Sequence, residues 1–456
     1  MALEKERKIF EEYSIPKAVA TLAIPTVLTQ IITFIYNLVD TWFVGLTNNS
    51  AMIAALSVCM PLYILMAAIA NLFGIGATSV ISRSLGEKKI ERARNAFSFA
   101  LYGGIIASIV YAFIIGIFKD KLTYIVGGTI ESSIHIQKYM FWTMVIGSCP
   151  TILNSLFGHL IRSIGDSKTA SFGMGLGSII NIVLDPIFMF VLLPKGNEVE
   201  AAAIATLIAN CVATIYFIIY INKHKDNPVF TLSYKYAYKD KKVIKELLTI
   251  GFPAALNTTL AMVSNIFANS LVSGYGSIAV AGMGIAKKIN TLAFNVTMGL
   301  TQGVLPLIGY NYAAKNHERM RKTISFMLTI ALIFTISCAF IFILNDDLLV
   351  SFFIKDMDTI HEGTEFLKVI ALGVPLAAIT YSMNAIFQAL GEKKKAFILS
   401  ILRKGCLDIP LMYLFMNKIG KLGIVIATPI AEIISASLAL ILLLTTFKKL
   451  KKGMDS

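Results

Sequence analysis

Apolar residues run along this chain in long unbroken stretches separated by short polar segments, not at the alternating spacing of half-buried strands. Twelve stretches stand out, at roughly 18–44, 51–81, 96–118, 137–160, 169–193 and 200–221, then 247–272, 278–308, 323–344, 363–390, 397–417 and 422–446. A helix needs about 20 apolar residues to cross a bilayer, so the longer stretches imply tilt or extension beyond the hydrocarbon. A membrane barrel would show alternating segments of about ten residues instead. The pattern predicts an all-α polytopic membrane protein with twelve transmembrane helices.

Composition supports that reading. Hydrophobic residues make up 56% of the 456 and charged residues 15%, with a mean hydropathy of +0.73. A soluble domain has about 45–50% apolar and about 25% charged residues, so a soluble chain is excluded, and so is a disordered one. The first eighteen residues mix acids and bases and lack the short apolar region and cleavage site of a signal peptide. The first stretch is therefore expected to stay in the protein as a span.

The net charge of +14 has a position. Arg83, Lys88, Lys89, Arg92 and Arg94 crowd the second connection, and seven lysines lie in 223–245. Residues 315–322, 393–395 and 448–452 are basic too. The alternate connections at 45–50 and 273–277 have no Lys or Arg, and 345–358 is acidic. The positive-inside rule then predicts a multi-pass protein of the cell membrane with both termini cytoplasmic. The same loops account for the charge without nucleic acid as a partner. The five cysteines show neither metal spacing nor a disulfide framework.

The chain is also a duplicated half. Thr21-Leu-Ala-Ile-Pro25 returns as Thr249-Ile-Gly-Phe-Pro253, and Asn37 as Asn265. Gly76 matches Gly303, and Glu91-Arg92-x-Arg94 matches Glu318-Arg319-x-Arg321. Pro150 matches Pro375, Gly165-Asp-Ser-Lys-Thr-Ala170 matches Gly391-Glu-Lys-Lys-Lys-Ala396, and Pro186 matches Pro410. The offset drifts only from 228 to 224 residues. Polar loop motifs would not stay in register by chance. Six spans per half give both halves the same orientation, a parallel repeat. The predicted organisation is an N-lobe at 1–225, a basic cytoplasmic linker at 226–246 and a C-lobe at 247–456. Two such six-helix bundles suit alternating access by rocking.

Several motifs together resemble the multidrug and toxic compound extrusion (MATE) family, over essentially the whole chain. They are Pro25 followed by Asn37-Leu-Val-Asp40-Thr-Trp-Phe-Val-Gly45, Ser82-Arg-Ser-Leu-Gly86-Glu-Lys-Lys, Gly165-Asp-Ser-Lys-Thr and Asn181-Ile-Val-Leu-Asp185-Pro186. Gly282-Met-Gly-Ile-Ala-Lys-Lys288-Ile, then Gln302-Gly and Gly309-Tyr-Asn311, fit the family's eighth span. The resemblance is closest to the bacterial DinF-like and MepA-like members. It implies a secondary antiporter that exports organic cations and drugs in exchange for inward H⁺ or Na⁺. It also implies an N-lobe coupling site at Asp40, Asn181 and Asp185, with Tyr139, Asn154 and Thr206 in the same network. The NorM-like branch of the family uses an acid in the middle of span seven. Here that segment is Leu260-Ala-Met-Val-Ser264, without one.

The residues have their own physical reading. A bare carboxylate in a bilayer costs about 2.5–3.5 kcal/mol on insertion scales, so Asp40 is either a coupling group or a cap at the short outer loop. Asn181 and Asp185 are four apart and share a helix face, where an amide and a carboxylate can hold a hard cation or share a proton. Such a site takes Na⁺ as cargo; no other metal and no cofactor is expected. In the second half Ala268 stands at the place of Asp40, Asp408 near that of Asp185 and Glu432 near that of Thr206. Arg403 and Lys404 precede Asp408 by about one turn, so internal ion pairs compete with a role in substrate binding or gating. Lys287 and Lys288 point about 100° apart on span eight, and Lys288 is the candidate for the functional face.

Two other functions are weighed. A lipid-linked precursor flippase would need a strongly basic cavity, and only Lys287, Lys288, Arg403 and Lys404 lie deep in spans. A narrow metabolite exporter differs from the main reading only in substrate. No nucleotide-binding loop, metal constellation or nucleophile motif suggests an enzyme. A monomer suffices, because both halves lie in one chain.

Overall fold

The computed structural model describes residues 2–47 and 49–452, and every regular element among them is helical. After a short α1 (Ala2–Glu11), the spans of the first half are α2 (Ile15–Gly45), α3 (Ser50–Gly86), α4 (Ile90–Ile125), the pair α5 (Ile130–Met140) and α6 (Ser148–Ser163), α7 (Ser167–Ile187) and α8 (Glu198–Lys223). Those of the second half are α9 (Lys241–Ser273), α10 (Ser277–Ala313), α11 (His317–Leu344), α13 (Met357–Ala389), the pair α14 (Lys393–Ile401) and α15 (Ile409–Ile419), and α16 (Lys421–Lys452), with a short α12 (Asp346–Ser351) before α13. Ten helices are long and apolar enough to cross a membrane alone, and the α5–α6 pair, bent by 52° around Gly147, makes an eleventh. The twelfth is the α14–α15 span, whose apolar run is broken by Arg403, Lys404 and Asp408.

Burial is arranged for lipid outside. On α4, Ile106, Ile109, Val110, Phe113, Ile114 and Ile117 are exposed at helical spacing, while Gly103, Ser108, Tyr111 and Ile115 face inward. Helix starts use side-chain oxygens for the orphan amides. Asn49 accepts from Ala51 and Met52, Thr129 and Ser132 form a capping box, and Asp166 accepts from Thr169 at 3.1 Å.

The duplication reappears in backbone detail. Lys88 and Lys315, repeat mates in the α3–α4 and α10–α11 turns, both have φ of 60°. Arg94 and Arg321, also mates, each lie 5.2 Å from an aromatic centroid (Tyr236 and Phe447) and each donate to a main-chain carbonyl, of Pro228 and Phe447. The π-helical turns are not repeat mates: Phe188–Leu192 follows Pro186, whereas Leu402–Asp408 precedes Pro410. Proline removes a backbone donor and crowds the preceding turn, which favours the widening before Pro410.

Packing divides the chain into two compact units, at places other than the predicted lobe edges. The first contains Leu28–Thr258 and the residues before Ser14; the second contains Ser14–Val27 and the chain from Thr259 onward. The first parts of α2 and α9 are thus exchanged between the halves. Glycines permit this. In the first unit a Cβ on Gly251 would lie 1.8 Å from the Leu72 carbonyl oxygen, and one on Gly76 would lie 2.4 Å from that of Leu247. In the second unit Gly303, the mate of Gly76, gives Leu22 the same room at 2.7 Å.

Gly251→Ala is expected to destabilise the purified protein by about 1–3 kcal/mol, because a carbonyl in a helix cannot turn aside. Gly284→Ala, which meets nothing within 4 Å, is the control. Thermal melts of the two variants test the exchange.

The linker is fixed to the first unit. Arg83 and Arg92 both pair with Glu246, the former at 2.8 Å, and Lys239 pairs with Glu91. Ser98 and Tyr102 donate to the carbonyls of Ser233 and Leu232, at 2.8 and 2.7 Å.

Candidate functional site

Two polar clusters lie among the spans, one in each unit. The first joins α6, α7 and α8. Asn181 is 2% exposed and Asp185 fully buried, one turn apart on α7. The Asn181 amide donates to Asp185 Oδ1 at 3.3 Å and to Thr206 Oγ1 at 3.2 Å. Asn154 donates to Asn210 Oδ1 at 3.0 Å, and Asn210 donates to the Thr206 carbonyl at 2.9 Å. Three oxygens, Asp185 Oδ2, Asn181 Oδ1 and Asn154 Oδ1, are buried without a donor among the described residues. Buried acceptors of this kind are costly unless something supplies positive charge.

Asp40 is half-buried and makes no hydrogen bond or ion pair among the described residues. It acts electrostatically on Asp185, and on the three tyrosines Tyr36, Tyr63 and Tyr139. The six predicted N-lobe residues therefore fall in one region of one unit. Sequence reasoning missed Tyr36, Tyr63 and Asn210. Tyr36 was accessible to it, since it lies one turn before Asp40 on the same face.

The second cluster joins α9, the π-helical turn and α16. Arg403 Nε bonds Glu432 Oε1 at 2.7 Å, and Lys404 Nζ bonds Asp408 Oδ2 at 2.8 Å while lying 4.0 Å from Glu432 Oε1. Asp408 also accepts from Ser264 at 2.6 Å and from Thr428 at 2.8 Å, so it has three donors. Glu432 Oε2 has none among the described residues. These are the internal ion pairs that competed with a substrate role in the sequence. Lys287, not Lys288, reaches this region: it donates to Asn269 Oδ1 at 2.9 Å and interacts electrostatically with Lys404 and Asp408. Lys288 is half-buried and makes no such contact.

A cavity of about 660 Å³ in the second unit, lined by Tyr275, Asp358, His361, Glu362 and Lys421 among others, contains none of the predicted site residues. Among the described residues no group of His, Cys, Asp and Glu has the makings of a metal centre.

The repeat, the twelve spans and the paired Asn181 and Asp185 can be set against known proteins. The sequence pattern of the MatE family matches residues 25–187 and 253–414, one block in each half. The chain belongs to the MatE family. It is 30% identical over 434 residues to the multidrug export protein MepA of Staphylococcus saprophyticus, covering 95% of this chain and 94% of that one. It is 31% identical over 433 residues to MepA of Staphylococcus haemolyticus, covering 94% of each. Among solved structures, a MATE protein in complex with MaD3S superposes with a TM-score of 0.91 at 24% identity, over 98% of this chain and 99% of that one. An outward-facing multidrug resistance MATE transporter gives 0.90 at 24% identity, over 98% of each. The fold is the twelve-helix, two-bundle MATE fold, and the chain is a multi-pass membrane protein.

Proposed function

We propose that this MATE protein is a secondary antiporter that exports organic cations and drugs in exchange for inward H⁺ or Na⁺ by alternating access. One observation carries the reading. Among the described residues, two carboxylates within the spans, Asp40 and Asp185, have no lysine or arginine partner, and Asp185 Oδ2 and the amide oxygens of Asn181 and Asn154 have no donor. A carboxylate and two amides offer the hard oxygens that Na⁺ prefers, and a proton on Asp185 would satisfy the same set. Cargo ions of this kind would bind from outside and leave inside, and the carboxylates would alternate between ion and drug. The relatives named as multidrug export proteins support drug substrates. The basic loops support placement in the cell membrane with both termini cytoplasmic. A flippase gains no such support, because Arg403 and Lys404 are spent on Glu432 and Asp408.

The test is ethidium efflux from proteoliposomes under an imposed ΔpH or an imposed Na⁺ gradient. Efflux driven by one gradient alone is the expected result and names the ion. Efflux indifferent to both gradients would overturn antiport, and no efflux from folded protein would shift the reading to a narrow metabolite exporter.

A further inference from the structure

Glu200 ties together two of the elements that supply the first cluster. It is half-buried in the first turn of α8. Its Oε2 bonds Lys138 Nζ at 2.8 Å, and its Oε1 accepts from Trp142 Nε1 at 2.9 Å. Lys138 also donates to Asn197 Oδ1 at 2.7 Å, on the residue just before α8. Lys138 and Trp142 are four apart, so one face of α5 and of the π-helical turn Phe141–Ile146 grips the start of α8. Half-exposed ion pairs add little to stability. This one has both carboxylate oxygens committed to side chains one turn apart, and that fixes direction. Beyond the clamp the chain is weakly held. The π-helical turn and Gly147 separate α5 from α6, and the pair is bent by 52° there. A π-helical turn interrupts the regular helical ladder, so α6 does not dictate where α5 points. A Cβ on Gly147 would lie 2.7 Å from the Thr143 carbonyl oxygen and 2.8 Å from that of Trp142, so the bend needs glycine. Tyr139 follows Lys138 directly, and Thr206 lies six residues beyond Glu200.

We propose that Glu200 is a positioning residue for the candidate ion site: through Lys138 and Trp142 it sets the direction of α5, so that Tyr139 meets Asp40 and Asp185. The inference rests on the ion-coupling reading above and adds a residue to it. Glu200 makes no hydrogen bond to Asp40, Tyr139 or Asp185 among the described residues, and acts through α5 alone. Tyr139 is the group that reaches the site, since it interacts electrostatically with both carboxylates.

The test reads ion binding on the purified full chain. It is the rise in melting temperature on titrating Na⁺ at fixed pH, or acid at fixed Na⁺, counting only the part that Asp185→Asn abolishes. Tyr139→Phe and Glu200→Ala are each expected to raise the half-saturating ion concentration about tenfold, as for a lost hydrogen bond to a charged group. The double variant decides. If Glu200 acts through Tyr139, Glu200→Ala combined with Tyr139→Phe is no worse than either alone, because the second change removes what the first has already displaced. Effects that multiply, to about a hundredfold, overturn the proposal, and so does an unchanged ion response in Glu200→Ala. If Glu200→Ala does not fold, Trp142→Phe takes its place in the cycle, since it removes one arm of the clamp and keeps a ring. A wild type without any Asp185-dependent response overturns the proposal together with ion coupling at this site. An ion response without ethidium efflux under either gradient overturns the export reading alone, and the cycle still decides Glu200.

Discussion

Asp185→Asn is expected to reduce gradient-driven efflux by about a hundredfold, while leaving thermal stability unchanged or raised. The two effects have one cause. Asp185 is fully buried, and its one side-chain donor is the Asn181 amide at 3.3 Å. Its other oxygen has no donor among the described residues. Such a carboxylate is poorly supported by its own protein, so the amide removes an unpaid desolvation cost. It also removes the charge that a proton or Na⁺ would neutralise. A residue with a purely structural role would behave the other way, with stability falling and transport following it. Asp40→Asn should lose coupling as well, because Asp40 acts on Asp185 and has no counter-ion of its own among the described residues. Thr206→Val should be milder, since it deletes one acceptor of the Asn181 amide and leaves both carboxylates in place. Efflux under each gradient, read beside melting temperature, checks the set. Efflux retained in Asp185→Asn would move the coupling site elsewhere.

Much of this arrangement was legible in the residues. Long apolar stretches marked all twelve spans, including α14–α15, where Arg403, Lys404 and Asp408 interrupt the apolar run. Spacing put Asn181 with Asp185, because residues four apart share a helix face, whereas which of Arg403 and Lys404 pairs with Asp408 and which with Glu432 stayed open until the structure placed them. The repeat was visible because it preserved polar loop positions, and the mates Lys88 and Lys315 even share a backbone conformation. What stayed hidden depends on neighbours distant in sequence. The exchange of the first parts of α2 and α9 rests on close approaches such as Gly251 to Leu72, which no local pattern encodes. Lys287 and Lys288 are adjacent, and only the packing of α10 decides which of them reaches Asn269. Ser264 and Thr428 are ordinary hydroxyls within spans until Asp408 is placed between them.

The second unit carries the opposite expectation from Asp185. Arg403 and Glu432 are 6% and 1% exposed and bonded at 2.7 Å, so each is the other's main compensation. Removing one partner leaves a buried charge alone, and Glu432→Ala or Arg403→Ala should each cost about 3–5 kcal/mol. Replacing both by methionine should recover most of that loss, because two well-packed apolar side chains need no desolvated counter-charge. The cycle also measures how far the two ion pairs act as one. Lys404 lies 2.8 Å from Asp408 but only 4.0 Å from Glu432, so Glu432→Ala should weaken the hold on Lys404 less than Asp408→Ala does. Melting temperatures of the single and double variants in one detergent give the comparison. Equal loss in the single and double variants would show that packing, not charge pairing, holds the π-helical turn Leu402–Asp408 against α16. Recovery in the double variant, set beside a stable but inactive Asp185→Asn, would separate the two clusters. Carboxylates in the first unit are kept at a cost to stability, and those in the second unit are kept because their partners are buried with them.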